Sequence, residues 1–169
     1  AQLLKHKLVT PDEIRGEFNS LKQAVLTQGW PQLDSLRGKF LFIFDANTHQ
    51  RAQYVKHAPS LKGRSMFISV PEEWDEAAIF IRNNPRNQLD DIRALVAQGF
   101  LVRTRADANL SATTDDMALQ KQAAFASGAQ FISTDFYAGA LLSRQRGHVV
   151  SFESPPFVRS HPFLNNNVN

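Results

Sequence analysis

Two arginines and an aspartate occupy alternate positions at the end of the segment Gly99-Phe-Leu-Val-Arg-Thr-Arg-Ala-Asp107, directly after its short apolar run. Side chains two residues apart in a strand lie on the same face, so we expect Arg103, Arg105 and Asp107 to share one face. A guanidinium group can donate two hydrogen bonds to phosphate oxygens, so the pattern favours phosphodiester binding. The alternative is a structural salt bridge from Arg105 to Asp107 or to a neighbouring strand.

A further carboxylate, Asp135, ends the apolar run Ala129-Gln-Phe-Ile-Ser-Thr134. A carboxylate in this position can hold a catalytic imidazole in one tautomer and stabilise its charged form. The alternative is an N-cap for the following helix, a position that favours Asp. Tyr137, two residues later, is predicted either to line the rim of a pocket or to pack.

Two more strand ends carry polar side chains. Arg82 and Asn83 follow Ala78-Ile-Phe-Ile81 and favour contact with phosphate or sugar hydroxyl groups, although Asn83-Asn84-Pro85 also has strong turn chemistry. Asp45 ends the run Lys39-Phe-Leu-Phe-Ile-Phe44 and is followed closely by Asn47. Oxygen ligands of this kind suit a metal or a sugar hydroxyl, and a helix or turn cap is the alternative.

The histidines do not form a recognisable site. None lies at a strand end with a matched carboxylate nearby in sequence, and no spacing among them resembles a zinc-binding helix. His49 and His57 flank a loop after the first strand and are interpreted as exposed loop residues, with a place at the mouth of the pocket as the alternative. The five histidines are His6, His49, His57, His148 and His161.

The elements that must position these side chains are predicted from apolar runs and helix-capping residues. Strands are predicted over 40–44, 65–70, 77–81, 100–104 and 129–134, and Phe40, Phe42 and Phe44 are expected in the core. Helices are predicted from Thr10 to Gly16, where Glu13 is expected to close a capping box, and over 20–28, 89–98, 115–126 and 138–146. This alternation predicts an α/β fold with largely parallel strands, whose polar ends meet at one edge.

Composition excludes several classes of protein. The 169 residues carry a formal net charge of +3 without a basic stripe, so we predict no nucleic acid partner. The absence of cysteine excludes disulfides, thiolate metal sites and a cysteine nucleophile. No apolar run is long enough to span a bilayer and no signal peptide is present, so no transmembrane segment is expected. Ala1 is interpreted as a cut or processed start.

Several segments, taken in order, resemble the bacterial calcium-dependent phosphoinositide phospholipase C family. That family belongs to the superfamily that also contains glycerophosphodiester phosphodiesterases. The resemblance extends roughly over residues 9–137, and its most specific parts are Arg103-Thr-Arg-Ala-Asp107 and Ser133-Thr-Asp135. The matching segments are Thr10–Gly16, Gly29–Pro31, Arg37–Asp45, Met66–Ser69, Gly99–Asp107 and Ser127–Asp135.

The resemblance implies a (β/α)₈ TIM barrel of which this chain supplies roughly the C-terminal half. Residues 1–169 would then be a single domain or that half-barrel, with a loop-rich tail over 154–169. The family cleaves a phosphodiester with two histidines as acid and base and with calcium. Because those histidines and calcium ligands lie on the first strands in the family, we expect them outside this chain, which would hold no metal site of its own.

The function is therefore expected to be that of a phosphoric diester hydrolase of lipid metabolism, in a bacterial protein that is secreted or periplasmic. Its partners would be a phosphodiester, a phosphoinositide-like molecule or a lipid head group, together with the missing N-terminal half or a second chain that covers the exposed sheet edges. The alternative is a non-catalytic module that binds an anion or a phosphorylated head group.

Overall fold

The computed structural model describes residue 4 and residues 6–107 and 112–163. The chain divides into two compact units, one of residues 1–81 with 98–100 and the other of residues 82–97 with 101–169.

The first unit contains short parallel strand pairs and three helices. Strand β1 pairs with β2, with Leu8 opposite Phe40, and β3 pairs with β4, with Ile43 opposite Phe67. Two 3₁₀ turns lie at Leu33–Leu36 and Pro59–Leu61. In chain order the elements are β1 Leu8–Val9, α1 Pro11–Arg15, α2 Leu21–Thr27, β2 Phe40–Leu41, β3 Ile43–Phe44, α3 Thr48–Val55, β4 Phe67–Ile68 and β5 Ile79–Ile81.

The second unit is built around two parallel strands flanked by helices. Strand β6 pairs with β7, with Arg103 opposite Phe131 and Arg105 opposite Ser133. The elements are α4 Leu89–Ala97, β6 Leu101–Arg105, α5 Thr114–Ala126, β7 Phe131–Ser133 and α6 Leu141–Arg146. Residues 154–163 contain neither helix nor strand, and residues 164–169 of the predicted loop-rich tail lie outside the described residues.

Helix starts agree well with the capping residues. The Thr10 hydroxyl accepts a hydrogen bond from the Glu13 backbone N–H at 3.2 Å, and the Ser20 hydroxyl accepts one from the Gln23 N–H at 3.0 Å. Each bond satisfies one of the unpaired N–H groups of a first helical turn. The predicted capping box at Glu13 is wrong, because its carboxylate lies 2.6 Å from the Lys39 ammonium instead.

The predicted buried strand over 40–44 is also wrong in two respects. The run is split into β2 and β3 around Phe42, and Phe40 and Phe42 are 50% and 42% exposed. Their rings stack on each other at 6.3 Å on the outside of the unit. Phe44 is half-buried and packs edge-on against Tyr54 at 5.3 Å. An apolar run therefore did not mean burial on both faces here.

Helix α3 was not predicted from the sequence. It begins at the N-cap Asn47, whose side chain accepts from the Gln50 N–H at 3.0 Å while the Gln50 side chain accepts from the Asn47 N–H. No residue of the helix is buried, so the apolar periodicity that indicates a helix is missing. His49 lies in this helix rather than in a loop, whereas His57 follows it and is exposed.

Each unit has its own apolar core. In the first, the rings of Phe80 and Phe100 are fully buried and meet edge-to-face at 5.1 Å. In the second, Met117 of α5 packs with Ala106, Phe136 and Val150.

Helices and parallel strand pairs confirm the α/β class. None of the ladders in the described part of the chain closes on itself, so the barrel stays a prediction. Among the described residues, no helix is both long enough and apolar enough to cross a bilayer.

Candidate functional site

Hydrogen bonds to backbone carbonyl groups hold the ends of the strands in the second unit in register. The Arg82 N–H donates to the carbonyl oxygen of Arg103 at 2.9 Å. In return, the fully buried Thr104 hydroxyl donates to the Arg82 carbonyl oxygen at 2.6 Å. On the other side of β6, the Ser133 hydroxyl donates to the Thr104 carbonyl oxygen at 3.1 Å. These bonds therefore hold the polar side chains at the carboxyl ends of the strands along one edge.

A buried glutamine of α5 binds backbone carbonyl groups at this edge. It was not predicted as a site residue from the sequence. Gln120 is 7% exposed, and its Nε2 donates to the carbonyl oxygens of Arg105, at 3.2 Å, and of Asn83, at 3.4 Å. The sequence signal for its burial was its place on the same helix face as Met117. Gln120 thus ties two strand ends to one helix.

Arg105, Asp107 and Asp135 form one ion cluster. The Nη2 atom of Arg105 lies 3.1 Å from Oδ1 of Asp107 and 2.8 Å from Oδ2 of Asp135. Asp107 is 2% exposed, and its second oxygen accepts from the Asp135 backbone N–H at 3.1 Å. The structure therefore brings these three predicted residues together and also forms the salt bridge that was the alternative for Arg105.

Arg103 lies on the same face of β6 but has a different partner. Its Nη1 donates to Oδ1 of Asn83 at 2.7 Å. Within the described residues its guanidinium forms no ion pair with a carboxylate, and the Asn83 amide carries no charge to neutralise it. Arg103 therefore presents net positive charge at the strand edge.

The charge of Arg82 is offset by helix α4. Its Nε donates to Oδ2 of Asp91 in a short hydrogen bond, and the same residue holds Arg103 through its backbone. Asn84 and Gln88 form the turn that the Asn-Asn-Pro sequence indicated, through the bond from the Asn84 N–H to Oε1 of Gln88 at 3.1 Å. Arg82 is thus both a structural and a candidate binding residue.

Asp135 and Tyr137 lie just beyond β7. The N-cap of α6 is Ala140, so Asp135 does not serve as the cap of that helix. Tyr137 is 55% exposed, and its carbonyl oxygen accepts from the Ser143 hydroxyl at 2.8 Å. Together with Thr134, it lines a cavity of about 100 Å³.

Asp45 is not part of this cluster. It belongs to the first unit, is exposed, and precedes Asn47, which caps α3. The cap alternative therefore holds for Asn47 and not for Asp45 itself.

One histidine near the cluster is buried, which the sequence did not indicate. His148 is 8% exposed and packs edge-on against the Phe136 ring at 5.4 Å, and its buried Nε2 has no hydrogen-bond partner among the described residues. Burial lowers the pKa of His148 below its ordinary value, the Lys121 charge lowers it further, and the Asp107 carboxylate acts in the opposite direction. No local pattern marks this residue, because its surroundings come from distant segments.

The described residues do not fit a divalent metal. No group of three or more histidine, aspartate or glutamate side chains is gathered in them. The two carboxylates that do meet, Asp107 and Asp135, already share the Arg105 guanidinium.

Comparison with known proteins places the chain in context. The family model described as phosphoinositide phospholipase C, Ca²⁺-dependent, matches residues 1–162. A solved Ca²⁺-dependent phosphatidylinositol-specific phospholipase C from Streptomyces antibioticus is similar in fold, with a TM-score of 0.56 at 19% identity. The match covers 79% of this chain and 55% of that one, so the chain spans about half the length of this relative. No curated protein sequence matches the chain.

Proposed function

The chain belongs to the Ca²⁺-dependent phosphoinositide phospholipase C family, and on that premise we propose that it is roughly the C-terminal half of a (β/α)₈ phosphodiesterase barrel. Its substrate would be a phosphoinositide or a similar phosphodiester. The parallel strands and the fold of the solved relative support this proposal. Active sites of such barrels lie at the carboxyl ends of the strands, which is the edge described above.

The observation that carries the proposal is the pairing of Arg103 with Asn83 at that edge. The Arg103 guanidinium is oriented by a neutral amide at 2.7 Å and keeps its positive charge. An oriented guanidinium binds a phosphodiester anion through charge-assisted hydrogen bonds. Arg103 and Asn83 would therefore hold the phosphate and an adjacent hydroxyl group.

Arg105 and the two carboxylates would position the rest of the site. Asp107 is buried and holds both the Arg105 guanidinium and the Asp135 backbone. Asp135 remains half-exposed, so one face of it is open to an incoming imidazole. We assign Asp135 to orienting a catalytic histidine and Arg105 to phosphate contact. Arg82 and Tyr137 are assigned to head-group recognition, and Asp45 of the first unit stays a separate prediction of a sugar-hydroxyl or metal contact.

The acid and base would be two histidines on a preceding half of the barrel, together with the calcium ligands. The residues described here do not form a calcium site, so no step on this chain is assigned to the metal. In keeping with its family, we propose a bacterial, secreted or periplasmic protein of lipid metabolism.

The test is to incubate the purified chain with glycerophosphoinositol, a soluble phosphodiester, and calcium. We expect binding without turnover, because the acid and base are absent. Binding is measured by calorimetry and turnover by phosphorus NMR. Turnover by this chain alone would overturn the half-barrel assignment, and absence of binding would overturn the strand-edge site.

The second candidate function, a non-catalytic head-group binding module, is favoured by the closed ion cluster around Arg105, which resembles a structural salt bridge. Turnover by a longer protein that includes the preceding half-barrel would exclude it. Binding without turnover in that longer protein would replace our first proposal.

A further inference from the structure

A second cavity of the second unit lies outside the strand-edge site. It has a volume of about 510 Å³ and is lined by α5 and by residues 151–154 and 159. Cavities of roughly 300–1,000 Å³ accommodate small molecules. Its walls combine two aromatic rings, Phe125 and Phe152, whose centroids are 4.8 Å apart, with two cations.

The two cations are Lys121 and Arg159. The Arg159 guanidinium lies 4.9 Å from the centroid of the Phe152 ring and 5.3 Å from that of Phe125, and it donates to the Phe125 carbonyl oxygen. The Lys121 ammonium lies 5.7 Å from the Phe125 ring and donates to the Val149 carbonyl oxygen at 3.0 Å. These contacts orient both cations without cancelling their charge.

No carboxylate in the described part of the chain pairs with either cation. Glu153 also lines the cavity, yet it forms an ion pair with neither Lys121 nor Arg159. Positive charge fixed beside aromatic walls attracts an anion, because the cavity concentrates the field of both cations.

A smaller, mostly apolar cavity adjoins the first. It has a volume of about 100 Å³ and shares Phe125, Ser151 and Phe152 with the larger one. Its other walls include Ile132, Val150 and Phe157, the last of which is 75% exposed. A cationic cavity joined to an apolar one matches a molecule with an acidic head and an apolar group.

We propose that these adjoining cavities, lined by Lys121, Phe125, Phe152 and Arg159, bind an anionic amphiphile. The acidic head, a phosphate monoester or a carboxylate, lies beside Lys121 and Arg159. The apolar group enters the smaller cavity toward Ile132 and Phe157. The larger cavity lies outside the strand-edge site, whereas the smaller one is also lined by Thr134 and Tyr137, so the proposal shares Tyr137 with the assigned head-group site.

Hexyl phosphate is the probe, titrated into the ¹⁵N-labelled chain and followed by NMR. Inorganic phosphate supplies the head alone and hexanol supplies the apolar group alone. We expect hexyl phosphate to bind more tightly than either, with shifts at Lys121 and over residues 151–154. Equal affinity for inorganic phosphate and hexyl phosphate would overturn the proposal.

Substitutions locate the binding. Arg159→Gln is expected to weaken hexyl phosphate binding about tenfold, the effect of losing a charge-assisted hydrogen bond. Arg144→Gln is the matched control, because Arg144 also donates to a carbonyl oxygen, that of Gly139 at 3.2 Å, but lies outside both cavities. Equal loss in both variants would overturn the proposal.

Two further arms separate this site from the strand edge and identify the source of the ligand. Hexyl phosphate binding is compared in Arg159→Gln and Arg103→Gln, and we expect the larger loss in Arg159→Gln. A larger loss in Arg103→Gln would place the ligand at the strand edge and overturn the proposal. Vesicles of phosphatidylcholine with phosphatidic acid test a lipid source. Hexyl phosphate binding with vesicle binding that Arg159→Gln weakens indicates a lipid ligand, and hexyl phosphate binding alone indicates a soluble one. Vesicle binding alone overturns the cavity site.

Discussion

The Nη2 atom of Arg105 lies 2.8 Å from Oδ2 of Asp135, although the two residues are 30 positions apart in the chain. The contact joins the end of β6 to a residue just beyond β7. The same Nη2 atom lies 3.1 Å from Oδ1 of the buried Asp107. One guanidinium thus faces two carboxylates, which leaves the cluster with one net negative charge. The stability of the strand edge and its ability to bind an anion both depend on this arrangement.

Asp107→Asn should destabilise the chain. The substitution removes the buried charge that faces Arg105 and weakens the bond from the Asp135 N–H. We expect a loss of about 1.5–3 kcal/mol in the free energy of unfolding, the usual range for hydrogen bonds to charged groups. Urea denaturation followed by circular dichroism measures it.

The matched control for this substitution is Asp34→Asn. Asp34 pairs with Arg37 at 2.7 Å, but the two side chains are 82% and 71% exposed. Exposed ion pairs contribute little, so we expect a change below about 1 kcal/mol. Equal effects at the two aspartates would show that burial of Asp107 adds nothing to stability.

Arg103→Lys and Arg105→Lys should separate ligand binding from scaffolding. Lysine keeps the charge but loses the planar fork. We expect Arg103→Lys to weaken glycerophosphoinositol binding about tenfold or more while leaving stability nearly unchanged, because the side-chain hydrogen bond of Arg103 within the described residues goes to the neutral Asn83 amide. Calorimetry gives the affinity and urea denaturation the stability.

Arg105→Lys should reduce stability as well as glycerophosphoinositol affinity, since one ammonium replaces a guanidinium that meets both carboxylates and that we assign to phosphate contact. The opposite pattern, with stability lost at residue 103 and affinity lost only at residue 105, would assign phosphate binding to Arg105 alone.

Stability should fall with decreasing pH because of His148. Its pKa in the folded chain lies below the ordinary value of 6.5, chiefly through burial. The unfolded chain therefore takes up the proton first, so the full contribution is present above pH 6.5 and declines as the pH falls below it. The slope for one proton is at most about 1.4 kcal/mol per pH unit.

The measurement is urea denaturation between pH 5 and 7.5 for the wild type and His148→Gln. We expect the difference in unfolding free energy between them to change across this range. His49→Gln, at an exposed position of α3, is the control substitution. Parallel curves for all three proteins would contradict the assignment to His148.

Gly128→Ala should be more disruptive than alanine at another glycine of positive φ. At Gly128, φ is +78° and a Cβ would lie 2.5 Å from the ring of Phe163. At Gly139, φ is +88° and nothing lies within 4 Å. Gly139→Ala should therefore cost only the backbone strain, about 1–2 kcal/mol.

Gly128→Ala should cost this amount and also displace the Phe163 ring from the Arg93 guanidinium, 5.5 Å away. Urea denaturation of Gly128→Ala, Gly139→Ala and the double variant Gly128→Ala with Phe163→Ser tests the difference. The double variant should approach Gly139→Ala; if the two single variants are equally stable, the ring contact has no energetic effect.

The amino-acid sequence by itself determined where several helices begin and which residues of α4 are buried. Thr10 caps α1 at the predicted start of that helix, and Ser20, where the second helix was predicted to begin, caps α2. Within the helix predicted over 89–98, Ile92 and Leu95 are fully buried. These features depend on interactions between residues within about one helical turn, which a sequence pattern records directly. The α/β class and the polar strand ends followed from the same patterns.

Only the tertiary structure decided which partners these side chains take. The register of β6 on β7 places Arg105 near Asp135, and the approach of α4 gives Arg82 the Asp91 carboxylate. Burial of His148 and exposure of Phe40 were likewise invisible in the sequence. The physical reason is that ion pairing and burial depend on how distant segments pack, whereas capping and periodicity are written in neighbouring residues.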